Sequence, residues 1–324
     1  MQTTIRQIKK GVINYDHLSC RNPHHDRSWH HTTWFSDGGE RKNYLCDPDT
    51  VTEDDLDAKG SLLLPGFIDA HTHLGILEDG LDFEGDDCNE CTDPFTPHLR
   101  AIDGVNPLDR CFSEALAAGV TTVMTTPGSA NPCGGTMLIL KTAGNCVDDM
   151  KLTFGGIKFA LGENPKSVYH GRDEMPFTRM ATAAIIREGL YKAKRYLEQW
   201  EAVEEAEDQP DYDAKCEALL PLLRREYKAH FHCHRADDMM TAIRIAKEFH
   251  LDAVLVHGTE GHRIPDIIQR AGVPIICGPI LCDRCKPELR DLEITTPNIL
   301  YQHGVSIALC TDHTVIPIQY LATT

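Results

Sequence analysis

The sequence predicts an α/β protein whose main part is a closed (β/α)8 TIM barrel, and two observations support this fold class. From residue 62 onward, short apolar runs alternate with amphipathic stretches, as expected for parallel strands covered by helices. About eight such units fit before the chain ends, a number that favours a closed barrel over an open sheet. The 324 residues, 41% of them hydrophobic, are enough to build a domain of this size.

The first four strands are predicted from apolar or β-branched runs. The opening strand is "LLLPGFIDA"; a polar loop and the helix "LDRCFSEALAAG" follow it, and Gly119 closes that helix. Further strands are expected in "VTTVMTT", "MLILKTA" and "LTFGGIKFAL", with the third unit the least clear. A long helix is predicted over 178–208, and its acidic end "EAVEEAEDQPD" indicates a solvated helix end with a loop.

The second half of the chain alternates between strands and helices at short intervals. Strand "KAHFHCH" precedes helix "ADDMMTAIRIAKEFH", and strand "DAVLVHG" precedes helix "HRIPDIIQRAG". Strand "VPIICGP" is followed by a helix around "PNILYQHG" and by the last strand, "VSIALCTDH". This repetition predicts parallel pairing throughout the barrel.

Composition argues against several classes of partner. The net charge of −17 disfavours nucleic acid and anionic membrane surfaces, and no run approaches the roughly 20 apolar residues that span a bilayer. The start of the chain lacks the apolar core of a signal peptide, and the 13 cysteines show no compact disulfide spacing. We therefore expect a cytoplasmic protein with reduced thiols and a small-molecule substrate.

Histidines and one carboxylate close four of the predicted strands. His71 and His73 are two residues apart in a strand, so their side chains point to the same face. Later strands end in further candidates, namely His230, His232, His234, His257 and Asp312. The carboxyl ends of barrel strands meet at one face, so these groups should converge there. Imidazole nitrogens and a carboxylate oxygen suit Zn²⁺ or a similar divalent ion.

Four motifs resemble the metal-binding strand ends of the amidohydrolase superfamily, and most closely those of its imidazolonepropionase-like group. They are "PGFIDAHTHLG", "AHFHCHRADD", "LVHGTE" and "CTDHTVIPIQYL", and the resemblance covers residues 53–324. The stretches "TDPFTPHLRAIDG", "TTPGSANPCGG" and "ALGENPK" resemble loops of one branch of that group.

The resemblance implies a set of metal ligands. A first ion would be bound by His71, His73, His232 and Asp312. In members with two ions, His232 and His257 hold the second, and a side chain of the fourth strand bridges both. That bridge is either Lys158, if carboxylated, or Glu163, directly as a carboxylate. The sequence leaves both the bridge and the number of zinc ions open.

The site predicts hydrolysis of a non-peptide amide or amidine C–N bond by a metal-activated water. A divalent metal lowers the pKa of its water from about 15.7 to near 7. Asp312 would move the proton to the leaving nitrogen, and the metal or His257 would polarise the scissile carbon. Candidate substrate contacts are His234, Arg235, His313 and Asn131. A non-catalytic metal-binding fragment, a deaminase and a phosphoesterase are the alternatives.

Both chain ends depart from the pattern of these relatives, which carry a small β-sandwich built from both ends of the chain. Residues 14–52 lack strand alternation, and the chain stops at "IPIQYLATT", just past the last predicted strand. We therefore expect residues 1–60 to be a poorly ordered remnant of that incomplete sandwich. Residues 61–324 would form a barrel that is truncated at its carboxyl end. Apolar surface left uncovered in this way favours self-association. A homo-oligomer is therefore one possible state that the sequence leaves open.

Overall fold

The computed structural model describes residues 64–205 and 209–324, together with four short strands among the first 63 residues. The chain divides into two compact units, Met1–Gly66 and Phe67–Thr324. The first unit contains two antiparallel strand pairs, Ile8–Lys9 with Val12–Ile13 and Phe35–Asp37 with Glu40–Lys42. The rest of the sandwich remnant predicted for residues 1–60 lies outside the described residues.

One of these pairs lies where the sequence shows no strand alternation. The strands Phe35–Asp37 and Glu40–Lys42 fall within the stretch 14–52. Two glycines, Gly38 and Gly39, separate the two strands in the sequence. A Gly-Gly pair is a hairpin signal in its own right, and it is independent of strand alternation.

The second unit is a nearly closed barrel of eight strands, which confirms the predicted fold class. The strands follow one another around the barrel in chain order. They are β1 Phe67–Thr72, β2 Val120–Thr125, β3 Cys133–Lys141, β4 Lys151–Ala160, β5 Ala229–Cys233, β6 Ala253–His257, β7 Ile275–Cys277 and β8 Ile307–Leu309.

Helices separate most of these strands along the chain. Within the described residues they are α1 Ala101–Gly104, α2 Arg110–Ala117, α3 Val147–Met150, α4 Glu163–His170, α5 Arg179–Glu201, α6 Ala214–Leu223, α7 Ala236–Glu248, α8 Pro265–Ala271 and α9 Thr296–Gln302. The long helix predicted over 178–208 is α5, whereas α6 was not predicted. Asp213 caps α6 by accepting hydrogen bonds from the backbone of Lys215 and Cys216. Across the described ranges, none of the helices has the length and apolarity needed to cross a bilayer.

Strand β3 departs from the parallel arrangement that the sequence predicts. It runs antiparallel to both β2 and β4, whereas the other neighbouring strands pair in parallel. Only residues 126–132 join β2 to β3. A parallel crossover needs a dozen or more residues, so the chain turns back on itself instead. The third unit is therefore a strand–strand connection, and the prediction of parallel pairing was wrong at this position.

The barrel closes between β1 and the segment that follows β8. The Asp69 carboxylate accepts hydrogen bonds from the backbone N–H of His71, from the backbone N–H of Thr311 and from the Thr311 hydroxyl. Asp312 N donates to the His71 carbonyl at 3.1 Å, and His73 N donates to the His313 carbonyl at 2.9 Å. These bonds fix the register of the two segments that carry the predicted metal ligands.

The main apolar core lies between the strands and the outer helices. Phe159 of β4 and Phe231 of β5 stack with ring centroids 5.0 Å apart and are fully buried. Leu190 of α5 and Ile245 of α7 belong to the same buried cluster. Because this side of the barrel is closely packed, β4 and β5 are held rigidly, and so are the polar side chains they point into the barrel.

Arg179 at the start of α5 forms an ion pair with Asp238 of α7. Its Nε lies 3.0 Å from Oδ1 of Asp238, whose side chain is only 3% exposed. Burial raises the pKa of Asp238 to about 6, although the Arg179 guanidinium opposes this. Since that pKa lies above the unfolded value of about 3.9, ionisation of Asp238 costs stability as the pH rises through this window. Arg179 limits that cost.

Replacing Arg179 by methionine should therefore destabilise the protein in a pH-dependent way. Without the guanidinium, the pKa of Asp238 rises further and a buried carboxylate is left uncompensated at neutral pH. We expect a loss of roughly 3 kcal/mol near pH 7.5, and a smaller loss near pH 5, where Asp238 can take a proton. Denaturant unfolding at the two pH values measures this. Arg100→Met, which breaks an exposed pair with Asp103, is the control. Equal losses at both pH values would contradict the assignment.

Candidate active site

A first group of ligand atoms gathers where β1, β6 and β8 end. One side-chain atom each of His71, His257 and Asp312 lies within 4.8 Å of the other two. His71 Nε2 lies 3.5 Å from Asp312 Oδ1, and His73 Nε2 lies 3.4 Å from the same oxygen. His71 and His73, at the end of the first strand, therefore lie beside the Asp312 carboxylate, which follows the last strand. The sequence predicts this proximity.

A second group is built by β5 and β6 and shares one member with the first. Ligand atoms of His232, His234 and His257 also lie within 4.8 Å of one another. The rings of His232 and His257 have centroids 4.4 Å apart, and those of His234 and His257 stack at 4.6 Å. Because His257 belongs to both groups, the two form one continuous site.

Backbone geometry at two of the candidate ligands is unusual. His257 has φ +74° and Asp312 has φ +54°, in the left-handed region that residues other than glycine seldom adopt. His257 is the last residue of β6, and Asp312 lies three residues after the end of β8. Such conformations persist where the surrounding structure over-determines them, and they cluster at functional sites. The hydrogen bonds that close the barrel supply this constraint at Asp312.

Backbone carbonyls set the proton positions of two of the rings. His73 Nδ1 lies 2.8 Å from the carbonyl of Thr126, and His257 Nδ1 lies 2.7 Å from the carbonyl of Gly278. A carbonyl oxygen can only accept, so each Nδ1 donates its proton. The lone pair of a neutral ring is then on Nε2, which is the arrangement that metal-ligating histidines adopt.

Hydroxyl groups orient two further histidines of the site. His232 Nδ1 lies 2.9 Å from Ser129 Oγ, and His234 Nδ1 lies 2.7 Å from Thr259 Oγ1. In the described part of the chain, the buried His232 Nε2 atom has no hydrogen-bond partner. A buried polar atom without a partner is costly, so His232 Nε2 is a candidate contact for a ligand.

The electrostatics of the site match the state that a cation requires. Burial lowers the pKa values of His71, His232 and His234, and it lowers that of His257 to about 4. Burial opposes ionisation of Asp312, but the neighbouring imidazoles outweigh it and hold the pKa of that carboxyl well below its usual range. Neutral rings beside an ionised carboxylate are competent ligands without prior deprotonation.

His73 differs from the other rings. Burial opposes its protonation, but the Cys88 sulfur and the Asp312 carboxylate outweigh burial and raise the pKa of His73 to about 10. A cation that takes Nε2 of His73 would have to displace this proton. Metal binding at this site should therefore release protons and weaken as the pH falls.

The two bridge candidates lie in different surroundings. Lys158 on β4 is fully buried, and its Nζ lies 3.2 Å from His71 Nε2. Burial lowers the pKa of Lys158 to about 8. Glu163, at the start of α4, accepts a hydrogen bond from the Glu288 backbone at 3.3 Å and belongs to neither ligand group in the described residues. Lys158 is thus the candidate that touches a predicted ligand.

Comparison with known proteins decides the family. Residues 62–321 match the sequence profile described as "Amidohydrolase family". The chain belongs to this family. A solved amidohydrolase structure from Thermotoga maritima MSB8 superposes with a TM-score of 0.79 at 40% identity, covering 89% of this chain and 76% of that one. Amidohydrolase tasK of Hapsidospora irregularis is 29% identical over 301 residues, 84% of this chain but 30% of that protein. The chain thus spans less than a third of the length of this curated relative.

The other predicted substrate contacts of this amidohydrolase chain, Arg235, His313 and Asn131, lie in three different surroundings. Arg235 forms a bidentate pair with Asp237, at 2.9 and 2.8 Å, at the start of α7. His313 accepts a hydrogen bond from the Ile318 backbone at 3.2 Å, while its buried Nε2 has no partner among residues that the structure describes. Neither belongs to a ligand group. Their part in substrate binding stays a prediction.

Asn131 lies in the loop between β2 and β3, and its side chain contacts the segment between β1 and α1 as well as helix α4. Its Nδ2 donates to the Glu90 carbonyl at 2.7 Å and to Thr96 Oγ1 at 3.0 Å. Its Oδ1 accepts from the Tyr169 hydroxyl at 2.7 Å. Asn131 therefore holds the loop beside the amidohydrolase site, and the same loop carries Ser129 against His232.

His230, the third histidine of the β5 motif, lies deeper in the barrel. It pairs in register with Lys158 of β4, and both of its ring nitrogens are buried without a partner in the described ranges. Burial lowers the pKa of His230 to about 3, so the ring is neutral. It is absent from both ligand groups of the described residues.

Two residues of the site had not been singled out from the sequence. Asp69 is one; its position two residues before His71, on the same strand face, is a signal that could have found it. Glu288 is the other. Its Oε1 lies 3.6 Å from His234 Nε2 and 3.8 Å from His232 Nε2. It follows β7 by a loop, and no strand register places it in advance.

Proposed function

We propose that the protein hydrolyses a C–N bond other than a peptide bond, in a small cyclic amide or amidine, with a water activated by one or two zinc ions. The observation that carries the proposal is the convergence of His71, His257 and Asp312 within 4.8 Å at the ends of three strands. Membership of the amidohydrolase family supports a hydrolase. The imidazolonepropionase-like motifs favour a cyclic substrate.

The residues present fit a divalent cation. Asp312 Oδ1 and His232 Nε2 are buried and have no hydrogen-bond partner in the described ranges. The donors are imidazole nitrogens and a carboxylate oxygen, the set that zinc prefers in hydrolytic sites. His71, His73 and Asp312 would hold the first ion. When bound, the ion would lower the pKa of a water and polarise the substrate carbonyl.

Asp312 is the proposed proton carrier of the reaction. Its pKa is held low, so it is ionised and can accept the proton of the attacking water. After the tetrahedral carbon forms, the same carboxyl can deliver that proton to the leaving nitrogen. His257, whose Nδ1 donates to the Gly278 carbonyl, would present the lone pair of its Nε2 to a cation. Both roles need the site to exclude bulk water, and burial of these groups favours that.

Lys158 is the proposed bridge if two ions bind. Burial lowers its pKa to about 8, so part of the population has a neutral amine near neutral pH. A neutral amine can add carbon dioxide and lose a proton to become a carbamate, which supplies two acceptor oxygens. Its neighbour His71, 3.2 Å away, is already a proposed ligand. Glu163 has its carboxylate engaged with the Glu288 backbone instead.

The experiment is a metal-dependent assay. The purified chain is stripped with a chelator, reloaded with Zn²⁺, Mn²⁺ or Co²⁺, and tested on a panel of cyclic amides, amidines and N-acyl compounds. We expect hydrolysis only after reloading, and its loss in Asp312→Asn. Hydrolysis that persists in the stripped protein, or in Asp312→Asn at the wild-type rate, would contradict the proposal.

A further inference from the structure

We propose that Glu288 and His234 are ligands of a second cation, which completes a set of His232, His234, His257 and Glu288. The inference rests on the proposed function, because it assumes that the site binds divalent ions. It differs from the arrangement that the resemblance implies, in which His232 and His257 hold the second ion with a bridge from the fourth strand. Here the loop after β7 supplies the carboxylate.

The distances fit a tetrahedral site. Zinc bonds of about 2.0–2.2 Å place neighbouring ligand atoms about 3.4 Å apart. Glu288 Oε1 lies 3.6 Å from His234 Nε2 and 3.8 Å from His232 Nε2. In the first group, His71 and His73 lie 3.5 and 3.4 Å from Asp312 Oδ1. The two distances from Glu288 to His234 and His232 are thus close to those from Asp312 to His71 and His73, and His234 and His232 belong to the ligand group that includes His257.

Burial supports a charged ligand at this position. The Glu288 side chain is 1% exposed, and the His232 and His234 side chains are 3% and 4% exposed. Their mutual distances exceed hydrogen-bond length, and His232 Nε2 is unpartnered within the described residues. A buried carboxylate faces two buried neutral rings here, and an ion between them would satisfy all three groups.

Neighbouring groups hold Glu288 in a ligating orientation. The backbone N–H of Glu163 donates to Glu288 Oε2 at 3.0 Å, and Lys286 Nζ lies 2.8 Å from Oε1. Lys286 also donates to Asn164 at 3.0 Å, which ties the β7 loop to α4. Ligating carboxylates are themselves hydrogen-bonded in this way. Within the described residues Oε1 is buried and accepts no hydrogen bond, so its lone pairs are available to a cation.

Gly162 provides the space for this arrangement. It has φ +86°, and a Cβ atom there would lie 2.8 Å from Glu288 Oε2. A side chain at this position would therefore push the carboxylate away from the two histidines. The role of Glu163 also becomes clear, since its backbone and carboxylate both position Glu288. In this account Glu163 acts through Glu288 and is not itself the bridge.

The test is a Co²⁺ titration of the stripped full chain, followed by visible spectroscopy and by metal analysis after gel filtration. We expect wild type to bind two equivalents. Glu288→Gln and His234→Gln should each retain the first equivalent and bind the second about 100-fold more weakly or not at all. Glu293→Gln, an exposed glutamate beyond the same loop segment, should bind as wild type does. Circular dichroism checks that each variant folds.

The outcomes separate this inference from the proposed function. Two equivalents bound by both Glu288→Gln and His234→Gln with wild-type affinity would overturn the inference. A wild-type protein that binds one equivalent, lost in His71→Ala, would also overturn it and leave the proposed function intact. If Glu288→Gln does not fold, the result with His234→Gln decides. No binding by wild type would remove both proposals.

Discussion

Replacing His71 with alanine is expected to abolish stoichiometric binding at the first cation position and to lower kcat/KM by on the order of 10⁴. His71 is fully buried, and its Nε2 lies within 3.5 Å of Asp312 Oδ1 and 3.2 Å of Lys158 Nζ. It therefore touches both the proposed proton carrier and the proposed bridge. Alanine at this position leaves no side chain that could substitute for the ring.

Metal analysis of the purified variant gives the readout, with activity as a second measure. Cys282→Ala is the matched control, because Cys282 is a half-buried residue on the β7 loop whose thiol donates to the Pro279 carbonyl and which belongs to neither ligand group of the described residues. We expect that control to retain wild-type metal content. Stoichiometric metal in His71→Ala would remove the assignment of this strand end as a ligand.

Replacing Asp69 with alanine should have the largest effect on stability. The carboxylate is fully buried and joins β1 to the segment after β8 through His71 and Thr311. Its removal leaves the two backbone N–H groups and the Thr311 hydroxyl without an acceptor. Each unsatisfied buried group costs about 1–3 kcal/mol, so we expect a loss of roughly 4 kcal/mol. Metal affinity should fall as well, because the same bonds set the position of Asp312.

Denaturant unfolding and metal titration together test this prediction. Asp148→Ala, at an exposed aspartate on α3, serves as the control and should leave both quantities unchanged. Thr311→Val removes the hydroxyl donor, but the Asp69 carboxylate still accepts hydrogen bonds from the backbone N–H groups of His71 and Thr311. Its loss of stability should therefore be smaller than that of Asp69→Ala. Wild-type stability in Asp69→Ala would show that the barrel does not depend on this closure.

Much of the fold and the first ligand group could be predicted from the sequence. The strand period places His71 and His73 on one face, and barrel topology brings His257 and Asp312 to the same end as β1. These inferences need only local periodicity and the parallel order of strands. The convergence of these side chains could be predicted because each candidate ligand lies at or near a strand end, where position along the chain determines position in space.

The parts that were not predicted depend on contacts between distant loops. The reversal of β3 follows from a connection of seven residues, 126–132, which is too short for a parallel crossover. Glu288 reaches the site through a loop whose path is set by Glu163 and Lys286. A local sequence pattern cannot predict such contacts between loops that are distant along the chain. Glu163 itself was assigned to metal, although its carboxylate is engaged with the backbone of that loop; that assignment stays a prediction.

The most direct test of the account is a crystal structure of the zinc-loaded protein, with anomalous difference maps recorded at the zinc edge. We expect a peak at about 2.0–2.2 Å from Nε2 of His71, from Nε2 of His73 and from the Asp312 carboxylate. A protein with stoichiometric zinc whose anomalous peaks all lie beyond the reach of these three side chains would contradict it.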